Sequence, residues 1–188
     1  HAYSVSFLNS NTEYGITLEE ESEFFENYYL GNKSNWATEV RSYKKQLHKE
    51  IYKHIDISYY VQSDHLKYEF IVAKEGSPES IKMQYKGMSK LSLNNGNLIV
   101  KTSVNTTTEY KPYVYQMIND IEIEVPCNYK LHNNIVTFNF PEAYNKNLPL
   151  IIDPILKFST YSGSTADNFG YTATYDDFGF LYSGSTVF

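Results

Sequence analysis

Short runs of alternating apolar and polar residues dominate the pattern of this chain. In the opening run, HAYSVSFLN, Tyr3, Val5 and Phe7 fall on one side of an extended backbone and two serines on the other. A period of two residues is typical of a half-buried β-strand. Because the chain begins inside such a run, we expect it to be a piece of a longer protein.

Turn residues between the runs predict antiparallel hairpins. Asn95-Gly96 supplies the two positive-φ positions of a type I′ turn within LSLNNGNLIVKTS. Asp64-His65 separates strands predicted at 55–62 and 66–73. Short strands that follow one another every 8–12 residues or so are typical of sandwiches and barrels. The predicted fold class is therefore all-β, with an antiparallel β-sandwich-like domain over residues 1–157.

Three stretches fit the strand pattern less well. The fourfold spacing of Tyr43, Leu47 and Ile51 matches a helix face, and we predict a short helix or irregular turn near 47–53. The acidic stretch at 19–26 is interpreted as a solvated loop. Trp36, beside a turn, is interpreted as an anchor in the core.

The C-terminal stretch is built differently, from dense Gly, Ser and Tyr. The pentapeptide YSGST occurs at 161–165 and again at 182–186. Between the copies, Asp176 to Gly179 predicts a turn that joins the strands GYTATY and FLYSGS. Repeats of this kind are typical of propellers and solenoids. We therefore predict a second domain, residues 158–188, which is the first and partial blade of a propeller-type repeat.

Composition and charge narrow the partners. The net charge of 16 − 22 = −6 argues against nucleic acid, which requires a basic surface. No apolar run approaches the roughly 20 residues of a membrane helix, so membrane insertion is not expected. Cys127 is the only cysteine and is interpreted as a small buried hydrophobe.

Motifs for catalysis or metal binding are scarce. The chain has no HExxH, Walker or GxSxG motif. Asp56, Glu69 and Asp153 are candidates for the paired carboxylates of glycoside hydrolysis, but we expect Asp56 and Glu69 to face solvent and Asp153 to accept backbone N–H groups. The expected protein is not an enzyme. The remaining candidate cofactor is calcium, whose candidate ligands are Asp167, Asp176 and Asp177.

The tyrosines leave two interpretations open. There are 19 Tyr and 11 Phe against one Trp, which favours packing on sheet faces over an exposed binding platform. The alternative is a carbohydrate-binding face. Its candidate residues are Tyr59, Tyr60, Tyr68, Tyr113 and Tyr115.

The C-terminal run resembles a known repeat. It is similar to the seven-bladed propeller-type (SBBP) repeat of bacterial surface proteins at Tyr161, Gly163, Asp167, Gly170, Tyr171, Asp176, Gly179, Tyr182 and Gly184. It departs from that repeat at Phe180, where Asn is usual. Residues 25–188, from NYYLGNKSNWATEV through KPYVYQ to LPLIIDPILKFSTYSGST, resemble the conserved β-domain that precedes such repeats in large Bacteroidetes proteins of gliding motility and type IX secretion.

The resemblance implies an exported, cell-surface location and no catalytic residues. We expect a non-catalytic structural or adhesion module that caps or presents a repeat array. Its expected partners are other domains of the same polypeptide, surface glycans or the secretion machinery. A carbohydrate-binding module and an accessory domain of a secreted polysaccharide-degrading enzyme are the alternatives.

Overall fold

The protein is all-β. A computed structural model describes residues 2–62, 65–157, 168–175 and 181–187, with side chains described for 2–62 and 67–155. The strands in chain order are β1 (Ser4–Phe7), β2 (Ile16–Tyr28), β3 (Ala37–Tyr52), β4 (Ile55–Gln62), β5 (His65–Val72), β6 (Met83–Lys86), β7 (Lys90–Asn94), β8 (Asn97–Lys101), β9 (Thr106–Glu109), β10 (Tyr113–Ile118), β11 (Ile121–Glu124), β12 (Asn128–His132), β13 (Ile135–Asn139), β14 (Leu150–Asp153), β15 (Leu156–Lys157), β16 (Asn168–Tyr175) and β17 (Leu181–Val187). Two 3₁₀ turns, Lys33–Asn35 and Pro78–Ser80, complete the described elements.

The chain divides into two compact units, residues 1–158 and 159–188. The second unit contains the antiparallel pair β16–β17, with a bulge between Gly170 and Thr172. The two strands of the predicted C-terminal hairpin are thereby confirmed.

Three antiparallel sheets form the first unit. The largest has seven strands in the order β11-β10-β14-β5-β4-β3-β2. The other two have four strands each, in the orders β1-β6-β13-β12 and β15-β9-β8-β7. Strands distant in sequence meet in each sheet, as β14 does with β5.

One hydrophobic core joins these sheets. Phe70 on β5 packs edge-on against Phe7 and Phe138, which belong to the four-stranded sheet of β1 and β13. Leu98 and Val100 on β8 bring the third sheet into the same cluster. The face of the seven-stranded sheet that points into this core is called the inner face, and the opposite face the outer face.

Several sequence predictions are confirmed. Asn95 and Gly96 both have positive φ, 49° and 81°, as a type I′ turn between β7 and β8 requires. β4 and β5 form the predicted hairpin, with Tyr59 opposite Tyr68. Cys127 is 1% exposed.

Of the short helix or irregular turn predicted near 47–53, the helix is wrong, because residues 47–52 belong to β3; the irregularity is a bulge within that strand. Glu50 adopts a positive φ of 56°, and the strand register shifts between His48 and Tyr52. The bulge places both Ile51 and Tyr52 in the core although they are consecutive. A spacing of four residues is a multiple of the strand period of two, so the pattern that suggested a helix face also fits an extended strand.

The prediction of a solvated acidic loop is also wrong, since residues 19–26 lie within β2. β2 and β3 continue beyond the core as a two-stranded arm, defined here as residues 23–41, in which every residue is exposed. Trp36 lies on this arm rather than in the core. It is 43% exposed and packs edge-on against Tyr29.

Candidate functional site

The five predicted tyrosines divide between the two faces of the seven-stranded sheet, so they do not form one platform. Tyr59 and Tyr60 are neighbours on β4 and therefore point to opposite faces. Tyr59 pairs with Tyr68 on the inner face, whereas Tyr60 pairs with Lys67 on the outer face.

Tyr59 and Tyr68 are engaged within the fold. The Tyr68 hydroxyl donates a hydrogen bond of 2.6 Å to the Glu109 carboxylate. Burial raises the pKa of Tyr59 to about 12, and the nearby Tyr14 adds to the effect. Both rings face the interior and are poorly placed for a surface sugar.

The other three tyrosines share the outer face. Val114 and Gln116 on β10 are buried, so the alternating Tyr113 and Tyr115 point outward. Their ring centroids are 5.4 Å apart with planes inclined by 30°. Tyr60 lies on the same face, three strands away through β5 and β14.

A polar group occupies the space between these rings. Lys67 Nζ lies 2.7 Å from Asp153 Oδ2, and the two side chains are only 17% and 15% exposed. Burial acts to lower the pKa of Lys67, but the hydrogen bond and charge of Asp153 outweigh it and raise the pKa. Lys67 Nζ also lies 5.7 Å from the centroid of the Tyr60 ring.

Glu69 completes this cluster. It pairs with Ser58 across β4–β5, and burial followed by the charge of Asp153 raises the pKa of its carboxyl. The outer patch is defined here as Tyr60, Lys67, Glu69, Tyr113, Tyr115 and Asp153.

The structure places each of the three candidate carboxylates. Glu69 lies on the outer face and is partly exposed, whereas Asp153 pairs with Lys67 rather than with backbone N–H groups. Asp56 accepts the Glu50 N–H at 2.7 Å and so stabilises the bulge of β3. Only Glu69 and Asp153 are brought together.

Asp153 retains unused hydrogen-bonding capacity. Its Oδ1 atom is buried and has no hydrogen-bond partner within the described part of the chain. Buried polar atoms are normally satisfied by protein, water or ligand. The outer patch therefore offers flat aromatic rings, an ammonium group and two carboxylates, which together suit a ligand with both apolar faces and hydroxyl groups.

Sequence reasoning missed Glu109, which lies on β9 and is 3% exposed. Its strand, TTTE, has no apolar residue that would mark the inward side. The single feature of the sequence that could have indicated its burial is the strand period of two, which places Glu109 on the same side as the buried Thr107.

No group of three His, Cys, Asp or Glu side chains within the described residues could hold a metal ion. The calcium candidates Asp167, Asp176 and Asp177 lie outside the described residues. The described residues also contain no helix with the length and apolar character to cross a membrane.

Fold and site together define an all-β domain with a mixed aromatic and charged patch on one sheet face. A family model matches residues 1–155, and the chain belongs to that family, described as "Domain of unknown function (DUF7948)". No curated protein and no solved structure matches the chain.

Proposed function

We propose that residues 1–157 form a non-catalytic adhesion module that binds carbohydrate through the outer patch. The observation that carries this proposal is the placement of Tyr60 and the Tyr113–Tyr115 pair on either side of the Lys67–Asp153 ion pair. Tyrosine rings offer flat apolar surfaces for the C–H faces of sugars, and the charged groups offer hydrogen bonds to hydroxyls.

The dimensions of the patch favour an extended oligosaccharide. β4 and β10 are separated by three inter-strand steps, about 14 Å at the usual strand spacing. A single sugar would contact one aromatic side, whereas a chain of sugars would reach both. Rings fixed on regular strands are held rigidly, which lowers the entropy lost on binding.

Charge favours neutral sugars. Glu69 and Asp153 lie within the patch, and Glu122 accepts a hydrogen bond from Tyr113 at its border. A sulfated or uronic-acid chain would be repelled by these carboxylates and by the net charge of −6.

A glycan array tests the proposal, with the purified chain screened in calcium and in chelator. We expect binding to neutral oligosaccharides that is lost in the Tyr60→Ala and Tyr113→Ala variants. The matched control is Tyr14→Ala, since Tyr14 is 36% exposed but packs against His48 at the inner side. An array without binding, or binding that survives both patch substitutions, would reject the carbohydrate proposal.

A second proposed role is that the module caps or presents a repeat array at the bacterial surface. The support is the resemblance of residues 158–188 to a propeller-type repeat and the separate two-stranded sheet of β16–β17. Two strands alone are marginally stable in water, so such a unit benefits from neighbours. Deleting residues 1–157 from a longer form that carries further repeats should lower its solubility and melting temperature; unchanged values would remove the capping role.

A further inference from the structure

A cavity of about 180 Å³ opens on the inner side of the seven-stranded sheet, the face opposite the outer patch. Glu109 and Tyr85 form its buried floor, being 3% and 2% exposed. Tyr3, Phe7 and Tyr59 are only partly buried and form the walls toward solvent. The cavity therefore combines an enclosed carboxyl group with an aromatic lining.

The Glu109 carboxylate is held by three tyrosine hydroxyls. Tyr68 and Tyr129 donate to Oε1 at 2.6 and 2.8 Å, and Tyr85 donates to Oε2 at 3.1 Å. These donors favour the ionised form, while burial opposes it and leaves the pKa raised overall. Oε2 receives one hydrogen bond and Oε1 two, so Oε2 keeps the more available lone pair.

No positive charge balances Glu109 within the described residues, where its hydrogen-bond donors are neutral tyrosine hydroxyls. A buried carboxylate is costly unless a cation or several hydrogen bonds compensate it. A cation that enters the cavity would supply the missing charge at a site of low effective dielectric.

The lining suits a weakly hydrated cation in particular. Aromatic ring faces attract ammonium groups, and a cage of several rings is a known arrangement for alkylated ammonium ions. Tyr3 is stacked on Tyr85 with centroids 6.0 Å apart, and Tyr59 lies 6.4 Å from Tyr68. Two aromatic pairs thus border the carboxylate.

We propose that this cavity binds an alkylammonium head group, with Glu109 as counter-charge and the rings of Tyr3, Tyr59 and Phe7 as its walls. Entry is from the side of β1, which is an edge strand paired on one side to β6. Val5 on that strand is 38% exposed. This site does not depend on the carbohydrate proposal, because it uses the opposite face of the sheet.

The test is an NMR titration of the whole chain with choline, compared with its neutral isostere 3,3-dimethylbutan-1-ol at constant ionic strength. We expect saturable shifts of the Tyr3, Phe7 and Tyr59 ring signals, with choline bound about tenfold more tightly than the isostere. N-acetyl-lysine methylamide, titrated in parallel, decides whether the head group is a quaternary ion or a lysine ammonium from a protein.

Two variants and a control complete the design. Glu109→Gln removes the charge while keeping the size, and Tyr3→Leu removes a wall ring near the cavity mouth; each should weaken choline binding about tenfold. Tyr113→Leu on the outer patch should leave it unchanged. Equal binding of choline and the isostere, no saturable shift, or shifts insensitive to Glu109→Gln would each overturn the proposal.

Discussion

Glu109 is the residue at which the three sheets of the first unit meet through polar contacts. It lies on β9, and its hydroxyl donors lie on β5, β6 and β12. A buried hydrogen-bonded group of this kind costs most when one side of the network is removed. The stability of the domain should therefore respond to how much of the carboxylate a substitution preserves.

We expect Glu109→Ala to destabilise the domain by about 3 kcal/mol or more, since three buried hydroxyls lose their acceptor and a cavity remains. Glu109→Gln should cost only about 1 kcal/mol, because its carbonyl still accepts and its amide can donate to Tyr85. Urea unfolding followed by circular dichroism measures both values. Equal losses for the two variants would show that the hydroxyls do not depend on this acceptor.

The same residue makes stability depend on pH. The pKa of Glu109 is raised above the ordinary value by burial, so between these two values the native state binds more protons than the unfolded state. The contribution of Glu109 is then full below about pH 4.3 and is lost as pH rises through the folded pKa. The groups that face it, Tyr3, Tyr68, Tyr85 and Tyr129, have raised pKa values and stay protonated there.

We therefore expect wild type to lose stability relative to Glu109→Gln as pH rises from 4 toward 7. Denaturant unfolding of both proteins across this range gives the difference, in which other carboxyl groups such as Glu69 cancel. A difference that stays flat, or that grows in favour of wild type, would contradict the raised pKa.

Gly76 is required because its neighbours leave no room for a side chain, and not because its backbone has a positive φ. A Cβ atom there would lie 2.6 Å from the His54 carbonyl oxygen and 2.8 Å from Val72 Cγ1. Gly76→Ala should destabilise by about 1–3 kcal/mol through overpacking. Gly15→Ala is the control, since nothing lies within 4 Å of its added Cβ. Thermal melts of the two variants test this, and equal melting temperatures would be the contrary result.

At the scale of elements, the alternation of apolar and polar residues was sufficient to predict the strands that contain no bulge. β4, β5, β7 and β8 could be predicted because their apolar residues alternate and their turns carry Asn, Asp or Gly. β2 and β3 could not, because bulges interrupt the alternation: Glu20, Glu39 and Glu50 all have positive φ. Each such residue moves the following side chains to the other face, which removes the signal on which strand prediction rests.

The arm of residues 23–41 should be dispensable for folding. None of its residues belongs to the buried core, and Phe24, Leu30 and Tyr29 are 81%, 70% and 58% exposed. Replacing residues 23–41 by Asn-Gly would join Ser22 to Ser42 through a type I′ turn, next to the pair Glu21–Tyr43.

We expect the shortened protein to unfold at the same temperature as wild type within a few degrees, and to be more soluble because an exposed apolar surface is removed. Calorimetry and concentration-dependent light scattering provide the measurements. A large fall in melting temperature would mean that the arm packs on apolar partners that stabilise the fold.

For the whole molecule, the fold class followed from the sequence, but the sheet order did not. Hairpin neighbours such as β12 and β13 are joined by local turns, and turn residues such as Asn133-Asn134 indicate these turns in the sequence. The pairings of β1 with β6 and of β14 with β5 join distant segments, and nothing in the alternation of one strand selects its distant partner. The outer patch and the Glu109 cavity depend on those long-range pairings, so some of their tyrosines and the carboxylates Glu69 and Asp153 could be named beforehand, but their grouping could not.

The division into two units leads to a prediction about cooperativity. Among the residues whose side chains the structure describes, 2–62 and 67–155, every buried hydrophobic residue lies between Ile51 and Ile152, within the first unit. Residues 1–158 alone should therefore retain the core and unfold in one cooperative transition, with a midpoint and a denaturant slope close to those of the corresponding transition in the full chain. Urea titration of both proteins, read by tyrosine fluorescence and circular dichroism, makes the comparison. If the shorter protein unfolds with a clearly lower midpoint, residues 159–188 contribute stabilising contacts to the first unit, and the boundary near residue 158 separates two interdependent parts.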